Sequence, residues 1–399
     1  MASEFMATRG RGGFALKDDE AALLDHTDRW ARERLYPLAP RMDAEEWWPA
    51  DVFPELGSLG FLGVTVPEQY GGAGMGFFSS GLICQAMARW NHAFALSWVA
   101  HENLCLNNIY ANGDEAQRER YLPRLCSGEW IGCLGLNEPG AGSDALGSMA
   151  TTARREGEAY LINGSKLFIT NGPVADVMLC YARTDPEARN QGISAFIVET
   201  ASDGFHVAQK LEKMGFRGSQ TAEILLQDCR VPAANLLGDE NRGVRVVMSG
   251  LDLERAIIAP LCLGVCERAL ELSIDYARTR KQFGQAIGSF QMIQQKLADM
   301  YTRIESLRAL TYSVLAQCES IGAGEAGRGE IHMRTAAAVK HAAETMHFVL
   351  DEAVQIHGGS GYIWETEINR LFRATKLLEI GAGTTEVRNL IIAGELLRA

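Results

Sequence analysis

Glu254 is the residue whose type and neighbours in the sequence most directly suggest a role in catalysis. It lies in SGLDLERAII (residues 249–258), with Asp252 and Arg255 close by and two isoleucines after it. A carboxylate beside apolar side chains loses hydration, which raises its proton affinity and suits it to general-base catalysis. The same local sequence also fits an ion-pair cluster on a protein surface, so Glu254 alone establishes no activity.

A glycine-containing turn is the second candidate for a site. In GLNEPGAGSD (135–144), Gly140 and Gly142 let the backbone approach a ligand closely, while Ser143 and Asp144 supply polar groups. An ordinary turn at the end of a strand has the same composition. Both interpretations stay open at this point.

Two further segments have the same ambiguity. KLFITNG (166–172) predicts a strand whose Thr170 and Asn171 either hydrogen-bond a ligand at the rim or form a simple turn. In QIHGGSGYIWETEINRLFR (355–373), paired glycines either cradle a phosphate with backbone amides or end a helix. His357 is expected to be a hydrogen-bonded structural residue.

Composition and missing motifs exclude several functional classes. The chain of 399 residues has no G-x-G-x-x-G after a strand, P-loop, H-E-x-x-H or G-x-S-x-G. A net charge of −12 disfavours a nucleic-acid partner, and no apolar run approaches the length of a membrane span. Nine scattered cysteines without a C-x-x-C pair favour reduced thiols in a cytoplasm. Cys262 and Cys266 are expected to pack rather than bind metal, so no metal site is predicted.

The chain divides into three regions of different composition, and the elements that these regions form must position the candidate residues. Residues 1–14 are expected to be a disordered N-terminus that includes residues left from cloning. Helical periodicity over 15–130 predicts an α-helical domain. Short apolar runs bounded by Asn-Gly, Gly and Pro over 131–246 predict a β domain, as a small barrel or sandwich. Long helical segments return over 247–399, with a kink expected at Pro260 and an exposed glycine-rich turn at 322–329.

Taken together and in this order, these segments resemble the acyl-CoA dehydrogenase family from about residue 15 to the C-terminus. The resemblance is strongest to its isovaleryl-CoA branch, through the runs AHENLC, ITNGPVADV, ISAFIVET, PAANLLG, MSGLDLER, LADMYTR and EIGAGTTEVR. It implies a mainly α fold with a β-barrel insert: an N-terminal helical domain, a central β domain and a C-terminal four-helix bundle. It also implies a homotetramer in which FAD reaches a neighbouring subunit.

The resemblance implies a reaction as well. In the family, a carboxylate takes the α-proton of an acyl thioester, a hydride passes to flavin N5, and an electron-transferring flavoprotein reoxidises the flavin. The usual base of the family precedes Gly-Thr in a C-terminal loop, where this chain has Ala382. The isovaleryl-CoA branch places the base on a helix instead, at the position of Glu254. A short branched acyl-CoA, with isovaleryl-CoA as the best guess, is therefore the expected substrate.

Further site residues follow from the resemblance, position by position. The expected FAD contacts are Leu134, Leu136, Asn137, Ser143, Phe168, Thr170, Arg280, Phe283, Gln291, Gln355, Gly359, Thr384 and Glu386. The expected substrate contacts are Ser143, Leu96, Trp98, Val99, Asp252, Arg255, Gly381 and Ala382. Among the latter, Leu96 and Gly381 match residues that widen the acyl pocket for a branch.

Several positions depart from the family pattern. Asn137 replaces Ser or Thr, Phe168 replaces Trp, Ala374 replaces an acidic residue, and Pro260 stands where close relatives have Gly. Trp98 and Val99 replace a Tyr-Gly pair near the acyl pocket. These changes motivate a rival substrate: an unusual acyl group on CoA or on a carrier protein, in biosynthesis or with altered regioselectivity. A flavin oxidase and a DNA- or flavin-binding protein with little turnover are further alternatives.

Overall fold

The computed structural model describes residues 16–319 and 329–398. The N-terminal segment expected to be disordered (1–14) lies outside these residues, as does the glycine-rich turn at 322–329 except for Gly329. Within the described ranges, no helix is both long enough and apolar enough to cross a membrane.

The N-terminal part is helical, as predicted, and is organised around one buried helix. Its helices are α1 (Asp18–Trp30), α2 (Ala39–Glu45), α3 (Val52–Ser58), α4 (Phe77–Val99), α5 (Asn107–Asn112) and α6 (Glu115–Cys126). Nearly every residue of α4 is buried, as expected of a helix that is apolar on all sides. The helix is kinked at Asn91, and it continues into a π-helical turn over Ala100–Leu106. A π-helical turn inside a helix often marks a functional region.

The central part is a β-sheet. Its strands are β1 (Gly132–Gly135), β2 (Thr152–Glu156), β3 (Ala159–Thr170), β4 (Val177–Arg183), β5 (Ile193–Glu199), β6 (Phe205–Lys210), β7 (Thr221–Pro232) and β8 (Leu236–Leu237). They pair in the order β6-β7-β3-β2-β4-β5-β8, and β1 adds to β4 in parallel.

Of the expected barrel or sandwich, the structure shows the sheet but no closed barrel, because the ends of this sheet do not pair within the described residues. Among the described residues, β6 at one end and the two-residue β8 at the other share no hydrogen bonds. The sheet instead folds over its own core, where Tyr160 of β3 and Phe196 of β5 meet edge to face at 4.9 Å. Composition predicted the strands, but closure depends on pairing at the edges, which composition does not specify.

The C-terminal part is a helical bundle. Its elements are α7 (Gly243–Thr279), the hairpin β9 (Lys281–Gln282) and β10 (Gln285–Ala286), α8 (Gln291–Cys318), α9 (Glu330–His357), α10 (Gly359–Tyr362), α11 (Glu367–Arg373), α12 (Thr375–Ile380) and α13 (Thr385–Leu396). The long helices α7, α8 and α9 pack on one another, and α13 packs on α9. Although Pro260 lies inside α7, the helix continues to Thr279.

Two glycines let α7 approach the N-terminal helices closely. A Cβ on Gly264 would lie 2.1 Å from the carbonyl oxygen of Gln85 in α4. A Cβ on Gly250 would lie 2.4 Å from the side-chain nitrogen of Asn108, which is hydrogen-bonded to the carbonyls of Asn103 and Leu104. These contacts fix α7, and hence Glu254, against the rest of the molecule.

Candidate active site

Glu254 lies on α7, half-buried, four residues after Gly250. The residues that follow it, Ile257 and Ile258, belong to the largest hydrophobic core. Burial raises the pKa of the Glu254 carboxyl to about 7, although the charges of Arg255 and Arg388 act to lower it. A base with a pKa near neutrality is partly ionised at physiological pH and still holds a proton well once it has taken one.

Asp252 and Arg255 form a buried cluster with His332 of α9. Arg255 Nη1 lies 3.0 Å from Asp252 Oδ1, and His332 Nδ1 lies 2.6 Å from the same oxygen. The exposed fractions of Asp252 and Arg255 are 1% and 5%, so the alternative of a surface ion pair is wrong. Because these side chains bind each other across two helices, their contact with CoA stays a prediction. His332 was missed because it lies far away in sequence.

The C-terminal loop has the glycine-rich form expected from the sequence. Ala382 adopts a left-handed conformation (φ 55°) between Gly381 and Gly383, whose φ is 86°. Such a backbone is costly for a residue with a Cβ and persists only where the surroundings impose it. The Ala382 methyl group packs against the same core as Ile257, so the position that carries the usual family base is filled here by an apolar group.

Arg388 anchors this loop and was missed from the sequence. Its side chain is fully buried, and Nη2 donates to the carbonyls of Leu378 at 2.8 Å and Gly381 at 2.6 Å. Its charge acts on the Glu254 carboxyl. The structure therefore brings together the two segments that the sequence singled out. The available signal was an arginine in the first turn of a helix, where the helix dipole disfavours a cation.

The predicted acyl-pocket residues of α4 differ in their exposure. Leu96 is half-buried, whereas Trp98 and Val99 are 0% and 1% exposed. The indole N–H of Trp98 donates to the carbonyl of Phe61 at 2.7 Å. Contact of Trp98 and Val99 with substrate stays a prediction, and their packing fixes the course of α4 beside Leu96.

The predicted flavin-facing residues gather at one rim of the sheet. The end of β1 continues to Asn137, whose carbonyl accepts the backbone N–H of Leu167 at 2.9 Å. A register shift between Lys166 and Ile169 forms a β-bulge there. At this bulge Phe168 has a left-handed conformation (φ 63°) and is 65% exposed. A bulge of this kind re-aims a side chain, here an aromatic ring turned into open space.

Polar residues around that rim hold it in place. The buried Lys166 ammonium lies 2.7 Å from Glu138 Oε1, and the Glu138 carboxylate accepts the backbone N–H groups of Ala150 and Thr151. Asn171, which follows β3, donates to the carbonyls of Ser97 and Gly132. Together these contacts connect β1, β3 and α4. Leu134 lies on β1, Leu136 directly follows it and Thr170 ends β3; all three are half-buried or buried.

The 138–148 turn has the space that a ligand would need. A Cβ added to Gly140 or Gly142 would meet nothing within 4 Å, and Ser143 is exposed beside them. Packing within the chain therefore does not require glycine there. Together with the exposed Phe168 ring, this open turn fits the stacking and hydrogen-bonding needs of a flavin and its phosphates.

The remaining predicted FAD contacts lie elsewhere in the bundle. Arg280, Phe283 and Gln291 are exposed around the hairpin, and Phe283 is 93% exposed with a φ of 50°. Helical rise places this end of α7 about 38 Å from Glu254 along the helix axis. Gln355 and Gly359 lie at the same end, where His357 stacks on Tyr276 at 4.4 Å. Within a single chain, these predicted FAD contacts are therefore far from Glu254.

A cavity of about 660 Å³ opens between α9, α12 and the start of α13. Thr384 and Glu386 line it, and Thr384 caps α13 by accepting the N–H of Val387. His347 and Glu379, 2.5 Å apart, lie on its other walls. The volume is typical of a small-molecule site. Two of the predicted FAD contacts thus share one cavity with a strongly acidic lining.

Comparison with known proteins gives matches over nearly the whole chain. Family models described as the N-terminal, middle and C-terminal domains of acyl-CoA dehydrogenase match residues 17–129, 133–229 and 241–397. A relative named mitochondrial isovaleryl-CoA dehydrogenase, from Pongo abelii, is 44% identical, and the match covers 94% of this chain and 88% of that protein. The cytoplasmic location expected for this chain stays a prediction.

Two solved structures are also similar. Butyryl-CoA dehydrogenase from Megasphaera elsdenii has a TM-score of 0.91 at 37% identity and covers 96% of this chain and 100% of its own. A prolyl acyl carrier protein oxidase has a TM-score of 0.90 at 31% identity, with coverage of 96% and 100%.

Proposed function

The chain belongs to the acyl-CoA dehydrogenase family and is an FAD-dependent oxidoreductase, and from this premise we propose that it oxidises a short branched acyl-CoA at the α,β bond, isovaleryl-CoA being the best candidate. The observation that carries the proposal is the placement of Glu254. It is the half-buried carboxylate of α7 whose pKa is raised by burial to about 7, and the loop that would carry the usual base of the family holds only a methyl group here, at Ala382.

In the proposed mechanism, Glu254 removes the α-proton of the thioester. The proton moves from carbon to a carboxylate oxygen, so the side chain becomes neutral in an apolar setting that favours its neutral form. FAD, when bound, supplies the acceptor for the β-hydrogen and its two electrons. Ile257 and Ile258 belong to the apolar core that follows Glu254 on α7, which limits hydration of the carboxylate.

The proposed cofactor contacts come from two places. Phe168, Thr170, Asn137 and the turn containing Ser143 would hold the flavin end in the chain that supplies the base. Because Arg280 and its exposed neighbours lie at the far end of α7, they are assigned to the FAD of a second copy. A homotetramer that passes electrons to an electron-transferring flavoprotein is the assembly we propose.

The preference for a branched acyl group rests on two small or flexible positions. Gly381 follows α12 without a side chain, and Leu96 on α4 is half-buried. Isovaleryl-CoA dehydrogenase is the name of the 44% identical relative. These observations support a pocket that is wide rather than long.

Anaerobic titration of the FAD-loaded protein with isovaleryl-CoA tests the proposal. We expect prompt bleaching of the visible flavin band. Glu254→Gln should retain FAD and slow the bleaching by about 10²- to 10⁴-fold, which is the usual contribution of a general base. Undiminished bleaching by this variant would assign the base to another residue.

The second candidate substrate is the same kind of acyl group on a carrier protein. The similar fold of a prolyl acyl carrier protein oxidase favours this candidate, as do the departures at Trp98 and Val99. Turnover of one acyl group on CoA and on a carrier protein separates the two, and a strong preference for CoA excludes the carrier. Hydrogen peroxide release in air tests the oxidase alternative, which a reduced flavin stable to oxygen would contradict.

A further inference from the structure

Asn171 joins the sheet to the N-terminal helices at one buried point. It directly follows β3, is fully buried, and has a left-handed conformation (φ 66°), which asparagine tolerates better than most residues. Its side-chain Nδ2 donates to the carbonyl of Ser97 in α4 at 2.8 Å and to the carbonyl of Gly132 in β1 at 3.2 Å. Its backbone N–H donates to the carbonyl of Gln220, just before β7, at 2.7 Å. Four segments of the chain therefore meet at this residue.

Two further buried hydrogen bonds hold the same junction. Ser97 Oγ and Ser219 Oγ lie 2.8 Å apart, and both side chains are buried. The backbone N–H of Gly132 donates at 2.9 Å to Nδ1 of His101, which lies in the π-helical turn after α4. Burial lowers the pKa of His101 to about 3, so the ring is neutral at physiological pH and Nδ1 can accept this bond. The junction is therefore the same on either side of neutral pH.

The two sides of the junction carry different parts of the proposed site. On β3, Phe168 and Thr170 are the expected flavin contacts, and Thr170 directly precedes Asn171. On α4, Leu96 is the expected acyl contact, and it directly precedes Ser97. Hydride transfer requires the reacting atoms to be about 3–3.5 Å apart, and a misplacement of about 1 Å can slow a reaction by about 100-fold. Because the two contacts belong to different parts of the chain, their separation depends on how α4 is bonded to the sheet.

We infer that Asn171 is a positioning residue for hydride transfer: its amide fixes the acyl-pocket wall of α4 relative to the flavin-facing end of β3. This inference rests on the proposed function, because it requires Leu96 to contact the acyl group and β3 to face the flavin. Nδ2 bonds two carbonyls in the junction, whereas Oδ1 is buried without a hydrogen-bond partner among the described residues. An unpaired buried acceptor is costly. The two donor contacts are therefore what this side chain contributes.

Asn171→Gly tests the inference, because glycine adopts a φ of 66° without strain and removes both side-chain bonds. The carbonyl of Ser97 still accepts the backbone N–H of Ala100 in the variant. We expect anaerobic flavin reduction at saturating isovaleryl-CoA to slow by about 10- to 100-fold in the FAD-loaded variant. The FAD affinity and the half-saturating concentration of the thioester should each change by less than about threefold, since the groups that bind them remain.

The flavin spectrum gives a second measurement that needs no turnover. The α,β-unsaturated thioester that the proposed reaction would produce should perturb the visible flavin band when it binds to the oxidised protein. If Asn171 fixes the acyl group relative to the flavin, this perturbation should be smaller in Asn171→Gly than in wild type. A loss of general stability alone would leave the perturbation unchanged in protein that is still folded.

The matched control is Asn235→Gly. Asn235 is also a buried asparagine, and its Nδ2 donates to the strand carbonyl of Ile197 at 2.9 Å, but it lies before β8 and outside the predicted site. This control should lower the melting temperature, as loss of any buried hydrogen bond does, and keep the wild-type rate of flavin reduction. Ser219→Ala is a milder change at the junction and should slow reduction in the same direction as Asn171→Gly.

Three results would overturn the inference: a wild-type rate and spectrum in Asn171→Gly, an equal loss of rate in Asn235→Gly, or loss of FAD from Asn171→Gly. If Asn171→Gly gives no folded protein, Ser219→Ala decides, and a wild-type rate in that variant overturns the inference. Absence of bleaching in wild type, or undiminished reduction by Glu254→Gln, would overturn the proposed function instead. The two failures are therefore distinguishable.

Discussion

At the scale of a single residue, the surroundings of Glu254 must satisfy two opposed requirements. Glu254 must be desolvated enough to hold a proton and ionised enough to take one. The core around Ile257 supplies the first condition, and the charges of Arg255 and Arg388 supply the second. The resulting pKa near 7 makes the activity sensitive to pH in the physiological range.

The wild-type enzyme should therefore gain activity as pH rises through about 7, since burial raises the Glu254 pKa to about 7 and only the carboxylate accepts the α-proton. The measurement is the single-turnover rate of flavin reduction between pH 5.5 and 9. A profile that falls with rising pH over this range would contradict the assignment of Glu254 as base.

Asp252→Asn should destabilise the fold by about 1–3 kcal/mol. The change removes the carboxylate that Arg255 and His332 share and leaves a buried cation without its partner. Denaturant unfolding measures the loss. Asp144→Asn is the matched control, because that carboxylate is exposed and accepts a hydrogen bond from the Ser148 hydroxyl; the change should alter stability by less than about 0.5 kcal/mol.

The β-bulge at Phe168 shows how an element prepares a site. Phe168→Ala should leave the unfolding free energy nearly unchanged, because the ring is 65% exposed in the chain alone. FAD affinity should fall about tenfold as ring stacking is lost. Comparison of FAD dissociation in the variant and in wild type checks this. Unaltered affinity would place the flavin away from the bulge.

The crossing of α4 and α7 depends on the absence of one side chain. Gly264→Ala should cost about 3 kcal/mol, since the new methyl group would lie 2.1 Å from a backbone oxygen that cannot turn away. In contrast, Gly394→Ala on α13 has nothing within 4 Å and should stabilise by about 0.5–1 kcal/mol. Thermal melts of the two variants should move in opposite directions.

At the scale of the whole molecule, the exposed hairpin should act between copies of the chain. Phe283→Asp should weaken both assembly and FAD retention, because a 93% exposed aromatic ring is expected to be covered in the oligomer. Light scattering and the ratio of flavin to protein measure the two effects. An intact oligomer with full FAD content would remove Phe283 from the proposed interface.

Sequence reasoning predicted the family, the FAD cofactor and the helical–β–helical order, since these depend on local periodicity and contiguous motifs. It did not predict the open sheet, because edge pairing is decided by contacts distant in sequence. It missed His332 and Arg388 because each acquires its contacts only in the folded chain: His332 when α9 packs on α7, and Arg388 when α13 packs on the loop after α12. The conformation at Phe168 depends on a register shift that a residue pattern does not show.

Helix α7 carries Glu254 in its N-terminal half and ends at Thr279, one residue before Arg280. Under the proposed assembly, one helix then serves two active sites. It supplies Glu254 as the base of one site and positions Arg280 as an FAD contact of the other. Loss of the whole helix in one subunit would disable its neighbour's site as well as its own. Mixed assemblies of a Glu254 variant with an Arg280 variant should therefore recover activity by complementation, since each mixed pair contains one centre in which both contributions are intact.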